Sequence, residues 1–199
     1  MKLAVLALVL GACCPEQPHA KQVVAPHPVV VVPPTRDQGL AAFETVRAVF
    51  QHPRCQNCHP AGDAPLQGDD GHPHTMNVQR GADGFGREGA GCMTCHGQAN
   101  PPRTYGEHQP PGVVGGWHMP GPRQKLVFEG LTPGELCRRL IDPAQNGGLD
   151  PAGLRGHLDT PLVTWGWEPG FGRAPIPTPR AELVGAFETW WHANTPCPQ

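Results

Sequence analysis

Apolar residues recur at Leu40, Phe43, Val46, Val49 and Phe50, close to the three-and-four spacing of an amphipathic helix. Asp37 stands where an N-cap would, and Pro53 sets the end of the helix. From Pro60 to about Gly130 the periodicity all but vanishes, leaving turn dipeptides such as Gly-Asp, Asp-Gly, Pro-Pro and Gly-Gly. A stretch of that length in a compact domain calls for a function, or for a bound group that organises it. Periodicity returns at Thr132-Pro133-Gly134-Glu135, a Thr-x-x-Glu capping box with Pro at the first helical position, which predicts a short helix through Leu140 closed by Asp142-Pro143. Asp150-Pro151 predicts another short helix carrying Leu154, His157 and Leu158. Pro179 starts a last one, with Leu183, Ala186, Phe187, Trp190 and Trp191 on one side. The expected fold is mainly α: short helices bracketing long irregular loops.

The N-terminus has a different pattern. Residues 1–12 read Met-Lys, an apolar run from Leu3 to Leu10, then Gly11-Ala12, the layout of a secretory signal peptide. Leu10-Gly11-Ala12-Cys13 also resembles a bacterial lipobox, which would make Cys13 a lipidated first residue and a membrane anchor on the periplasmic side. An ordinary signal peptide cut near this point is the alternative. Residues 13–36 are rich in Pro and Val and are expected to form an extended tether, with Val29 to Val32 as at most a short edge segment. The folded domain is then expected over residues 37–199.

Composition narrows the classes. The 199 residues include 26 Gly and 26 Pro, which argues against a fold of long helices. Leu, Ile, Val and Phe make up roughly a fifth of the chain, thin for a self-sufficient core, so something besides side chains is expected to help fill the centre. Fifteen basic and seventeen acidic residues give a net charge of -2 and no cationic field, so nucleic acid is not an expected partner. No run of about twenty apolar residues exists to span a bilayer as a helix.

The chemistry resides in two pentapeptides, Cys55-Gln56-Asn57-Cys58-His59 and Cys92-Met93-Thr94-Cys95-His96. Each is Cys-x-x-Cys-His, the c-type haem attachment pattern. Two thiols three positions apart on one turn can bond both vinyl groups of a porphyrin, and the next residue directs an imidazole at the iron. His59 and His96 are thus the expected proximal ligands of two covalent haems. A zinc site built from four thiolates is the rival, but it leaves the two histidines unexplained and fits an oxidising compartment poorly. Thiol-disulfide exchange is weaker still, because no thioredoxin-like βαβ pattern surrounds either pair. Of eight cysteines, four are assigned to haem and Cys13 to lipid, leaving Cys14, Cys137 and Cys197. Cys137 and Cys197 are expected to form a disulfide, with Cys14 unassigned.

Over roughly residues 37 to 199 the chain resembles dihaem c-type cytochromes. The segments His74-x-Met76-Asn77-Val78-x-Arg80-Gly81, Leu136-Cys137, Asn146-Gly147-Gly148, Trp165-Gly166-Trp167 and Pro196-Cys197-Pro198 are similar to a family of exported bacterial dihaem proteins. Some of its members are labelled as cytochrome subunits accompanying molybdenum hydroxylases of the isoquinoline 1-oxidoreductase type. The resemblance implies short helices and loops wrapped around two haems. It also implies single-electron transfer between a dehydrogenase or respiratory donor and an acceptor. Two alternatives remain open: a peroxidase-like haem oxidoreductase with one open iron site, and a cytochrome subunit bound permanently to a hydroxylase.

The second axial position of each iron separates these readings. His72, His74, Met76, His108, His118, Met119 and His157 are candidates. His74 is favoured for one haem, and Met119 or His157 for the other, with His118 as a rival to its neighbour Met119. His52 and His192 are expected at the surface. Trp165, Trp167, Phe171, Trp190 and Trp191 are expected to pack on porphyrin or on the terminal helices. Arg80, Arg87, Arg103 and Arg173 are candidate partners for haem propionates.

Overall fold

Thr35 opens the first helix, α1 (Arg36–Phe50), with a capping box: its hydroxyl accepts from the Gln38 N–H and its own N–H donates to Gln38 Oε1 at 2.8 Å. The N-cap is therefore Thr35 and not Asp37. Asp37 lies inside the first turn, where its carboxylate faces the positive end of the helix dipole. The computed structural model describes residues 32–199, so the leader, the lipobox with Cys13, Cys14 and most of the tether lie outside the described residues. The compact unit begins at Pro33, a few residues before the sequence-based boundary.

After α1 come α2 (Pro53–Gln56), α3 (Pro133–Ile141), α4 (Pro151–His157), α5 (Pro161–Thr164) and α6 (Arg180–His192). The capping box at Thr132 forms as its sequence predicts, and Asp142 ends α3. Asp150 caps α4 through the Gly153 N–H. Pro179 caps α6 from outside the helix and is not its first residue. The sequence pattern does not announce α5 or the single 3₁₀ turn Trp165–Trp167 that follows it, because neither is long enough to show a period.

The core lies where the terminal helices meet. Phe43, Val46, Val49 and Phe50 of α1 pack with Leu183, Phe187 and Trp190 of α6, and Leu136, Cys137 and Leu140 of α3 join them. Each such side chain contributes about 1.5–3 kcal/mol when fully buried. Phe43 and Trp190 meet at 5.3 Å between ring centres. A side chain at Gly39 would place its Cβ 2.5 Å from Ala193 Cβ, so this glycine lets the end of α6 sit directly on α1. The disulfide Cys137–Cys197 forms as expected, with Cα atoms 5.5 Å apart and a sequence separation of 60, and it pins the C-terminus to α3.

The aperiodic middle is held by two minimal antiparallel hairpins. In the first, β1 (Leu66–Gln67) pairs with β2 (His72–Pro73); in the second, β3 (Gly86–Arg87) pairs with β4 (Ala90–Gly91). Two-residue strands carry no alternation, so nothing in the sequence pattern marks them. Gly84 ties this region to the segment after the second motif: its carbonyl accepts from the Met119 N–H at 2.9 Å, and a Cβ there would lie 2.0 Å from Met119 O. Regular structure among the described residues is mainly helical, with a few short strands. None of the described helices is long and apolar enough to cross a membrane.

Candidate functional site

Both Cys-x-x-Cys-His segments fold as single helical turns with the same backbone closure. At the first, His52 caps α2 by accepting the Arg54 N–H, Pro53 fixes the first helical position, and the Cys58 N–H donates to Cys55 O at 3.2 Å. At the second, a 3₁₀ turn spans Cys92–Thr94 and the Cys95 N–H donates to Cys92 O, also at 3.2 Å. One turn thus carries both thiols of each pair, and the following histidine leaves it. His52 is half-buried through this capping role, whereas His192 is exposed as expected.

The two imidazoles are held in the same way. His59 Nδ1 lies 2.8 Å from Leu126 O, and His96 Nδ1 lies 2.8 Å from Pro111 O. A carbonyl can only accept, so each Nδ1 carries the proton and each Nε2 keeps a free lone pair, the arrangement of metal-ligating histidines. His59 is buried, and its ring stacks on Phe128 at 4.1 Å. His96 is only half-buried; Trp117 stacks on it at 4.8 Å with ring planes 4° apart, and Trp117 in turn meets Trp165 edge-on at 4.8 Å.

Burial governs the electrostatics of the first turn. It pushes the Cys55 thiol up to about 12, with the neighbouring Cys58 adding to the effect, and the Cys58 thiol up to about 11, with Cys92 adding. Such thiols stay protonated at neutral pH and make poor exchange nucleophiles. Burial likewise lowers His59 to about 4, and the charge of His157 acts in the same direction. His96 and His157 are also lowered, mainly by burial.

The surroundings of the first turn are the right ones for a macrocycle bearing carboxylates. Arg54 and Arg80 are 6 % and 1 % exposed; among the described residues Nε of each lacks a hydrogen-bond partner, although Arg80 Nε faces Asp63 at 3.7 Å, and Asn57 Oδ1 inside the motif also lacks one. Arg80 donates to Gly62 O and Pro120 O, and Arg54 to Gly68 O and to Asp69. Buried guanidinium N–H groups without acceptors match propionate groups. Of the arginines singled out from sequence, Arg80 fits this role. Arg87 is exposed and bonds Asn77 O, Arg103 lies over the Phe171 ring, and Arg173 donates to Gln109 O. Arg54 went unnoticed in the sequence although it adjoins Cys55.

The candidate distal ligands disperse. His74 comes to the second turn, its ring centre 6.3 Å from that of His96. His118 stacks on Phe85 at 4.8 Å. Met119 is buried, with its backbone pinned to Gly84. His157 ends α4, half-buried, close enough to the first site for its charge to act on His59. His72 is exposed and paired with Asp70, Met76 is 83 % exposed, and His108 is exposed. Among the described residues no three His, Cys, Asp or Glu side chains converge to hold a metal ion by themselves, so the four free thiols do not form the tetrahedral set a zinc would need. A cleft of about 510 Å³ lined by Gln98, Val113, Trp165, Trp167 and Arg180 includes no residue of either motif. No protein-family model, curated protein or solved structure matches the chain.

Proposed function

We propose that this protein holds two covalently attached c-type haems and transfers single electrons between redox protein partners, a dehydrogenase or respiratory donor on one side and an acceptor on the other. The observation that carries this reading is the repeated site: a one-turn Cys-x-x-Cys whose following histidine has its Nδ1–H committed to a backbone carbonyl at 2.8 Å and its Nε2 free. Cys55, Cys58, Cys92 and Cys95 would each add S–H across a vinyl group, sulfur to one carbon and hydrogen to the other, with nothing leaving. His59 and His96 would hold the irons, and Arg54 and Arg80 would neutralise propionates at the first site. The haem supplies an iron that alternates between ferric and ferrous states. The chain supplies fixed ligands and excludes water from the first site through Phe50, Phe128 and the helical core. Lipidation of Cys13, followed by the Pro- and Val-rich segment 13–36, would keep the carrier at high effective concentration beside membrane partners.

One observation favours a second reading. Among the described residues, His59 makes its ring contact with Phe128, while His157, whose charge acts on His59, makes no ring contact with it as His74 does with His96. An open iron at the first site would suit a peroxidase-like oxidoreductase. Export of the full chain with haem-attachment machinery, followed by a pyridine haemochrome assay, is the direct test. Two haems per chain, one of them lost in Cys55→Ala/Cys58→Ala, are expected, and a chain without covalent haem overturns the reading. Carbon monoxide binding and peroxide turnover at the first haem would move the assignment from carrier to enzyme.

A further inference from the structure

We infer that His74 is the second axial ligand of the iron at the Cys92–His96 site, which makes this haem a closed, bis-imidazole centre distinct from the one at Cys55–His59. The inference rests on the dihaem reading above. An iron–imidazole bond is about 2 Å long, as for zinc, and a ring nitrogen lies about 1 Å from its ring centre, so two imidazoles sharing one metal hold their centres roughly 6 Å apart. His74 and His96 stand at 6.3 Å with their planes 61° apart. An edge-to-face ring contact falls in the same range; what marks this pair is that both rings have Nδ1 committed to a carbonyl and Nε2 free, as for an atom held between them.

His74 is prepared as His96 is. Its Nδ1 lies 2.8 Å from Thr75 O, so the proton is on Nδ1 and Nε2 is free. The backbone that presents it is fixed from both sides. The His74 N–H donates to Pro65 O at 2.8 Å, and the Thr75 N–H donates to Gln67 Oε1 at 3.0 Å, which ties the residue to the first hairpin. Met76 and Asn77 follow in the left-handed region with φ of 63° and 53°, a conformation that is costly for two consecutive non-glycine residues. Arg87 holds that turn to the second hairpin through Asn77 O at 3.1 Å. On the other ring, Pro111 O takes the Nδ1 proton and Trp117 covers a face, leaving Nε2 as the free donor atom of His96. The two hairpins have few buried apolar side chains of their own, and bringing these two imidazoles to one point accounts for their strained, cross-tied geometry.

The full-length, haem-loaded protein is compared with His74→Gly and His74→Met by electron paramagnetic resonance, carbon monoxide titration and redox titration. The parent should show a strongly anisotropic low-spin signal, as expected for imidazole planes far from parallel. His74→Gly should gain one high-spin, carbon monoxide-binding haem per chain, and added imidazole should return it to low spin. His74→Met should keep a low-spin iron, acquire a thioether-to-iron charge-transfer band and raise one midpoint potential. Introducing Cys92→Ala/Cys95→Ala should abolish the high-spin signal that His74→Gly creates. Low-spin signals and carbon monoxide stoichiometry unchanged in both His74 variants overturn the inference, and so does a high-spin signal that survives loss of the second motif. Absence of haem from the parent protein would instead overturn the dihaem reading itself.

Discussion

The turn at Cys55–His59 leans on the helical core, with Cys55 packed against the buried cluster and His59 9 % exposed, whereas the turn at Cys92–His96 stands on two-residue hairpins with Cys95 at the surface. Both turns share the Cys-to-Cys backbone bond and an Nδ1-to-carbonyl bond, although the histidine N–H donates to Gln56 O in the first and to Cys92 O in the second, so the pentapeptide sets the local chemistry and the surroundings set the rest. Around the first turn, desolvation dominates: thiols pushed up, an imidazole pulled down, and guanidinium groups short of acceptors. Around the second, His96 is clamped by Pro111, Trp117 and the facing His74; burial also raises the Cys92 thiol, and only Cys95 lies at the surface. If both motifs hold haem, as proposed, these two copies would differ in dielectric surroundings and in second ligand, two levers that separate haem potentials.

Breaking this contrast should act first on folding. Cys55→Ala/Cys58→Ala should remove a group from the centre of the molecule and lower the melting temperature by roughly 3 °C more than Cys92→Ala/Cys95→Ala, as a difference of about 1 kcal/mol would. Calorimetry on both haem-counted variants checks this; equal losses would mean that the two environments are energetically alike. Replacing Cys137 by Ser opens the loop to Cys197 and should cost about 4 kcal/mol, read by urea unfolding, because the cross-link restrains the unfolded chain. The damage should fall on the core beside the first turn and leave the second-site spectrum unchanged.

Acid should discriminate between the two imidazoles in chain prepared before haem attachment. His59 sits at about 4 when folded against 6.5 for the free side chain, so above pH 6.5 it is neutral in both states and contributes no pH dependence. Between 6.5 and 4 the unfolded chain binds a proton that the folded chain does not, and stability falls as pH falls, by up to about 3 kcal/mol. Urea midpoints across this window should flatten in His59→Gln more than in His96→Gln. The smallest effect belongs to the exposed side: Trp117→Ala removes a stacking partner worth about 1 kcal/mol, and should broaden the second-site resonance signals without moving those of the first.

How far the sequence foretold these regions follows from the range of the forces involved. Capping boxes and apolar periodicity act over one or two turns, so α1, α3, α4 and α6 could be read to within a few residues; even the error at Asp37 is a choice between neighbours, settled by Thr35 and Gln38. The two motifs were legible because the haem-attachment pattern has a fixed spacing, and Cys137 with Cys197 because five of the other six cysteines were assigned elsewhere. The hairpins were not legible, since β1 to β4 have two residues each and no period. Arg54 and Trp117 were missed because the burial of one and the stacking of the other depend on segments far along the chain: Gly68 and Asp69 for Arg54, and His96 with Trp165 for Trp117.

The sequence by itself determined the helices, the repeated thiol-and-imidazole turn and the disulfide, because each is encoded by residues acting at short range or by simple counting. Tertiary structure alone decided which imidazole faces which. His74 and His118 lie in equally irregular loops, and only the cross-ties through Pro65, Gln67 and Arg87 place one of them 6.3 Å from His96 while the other stacks on Phe85. Ligand pairing depends on the convergence of separate loops in space, and spacing along a chain without period carries no information about where those loops meet.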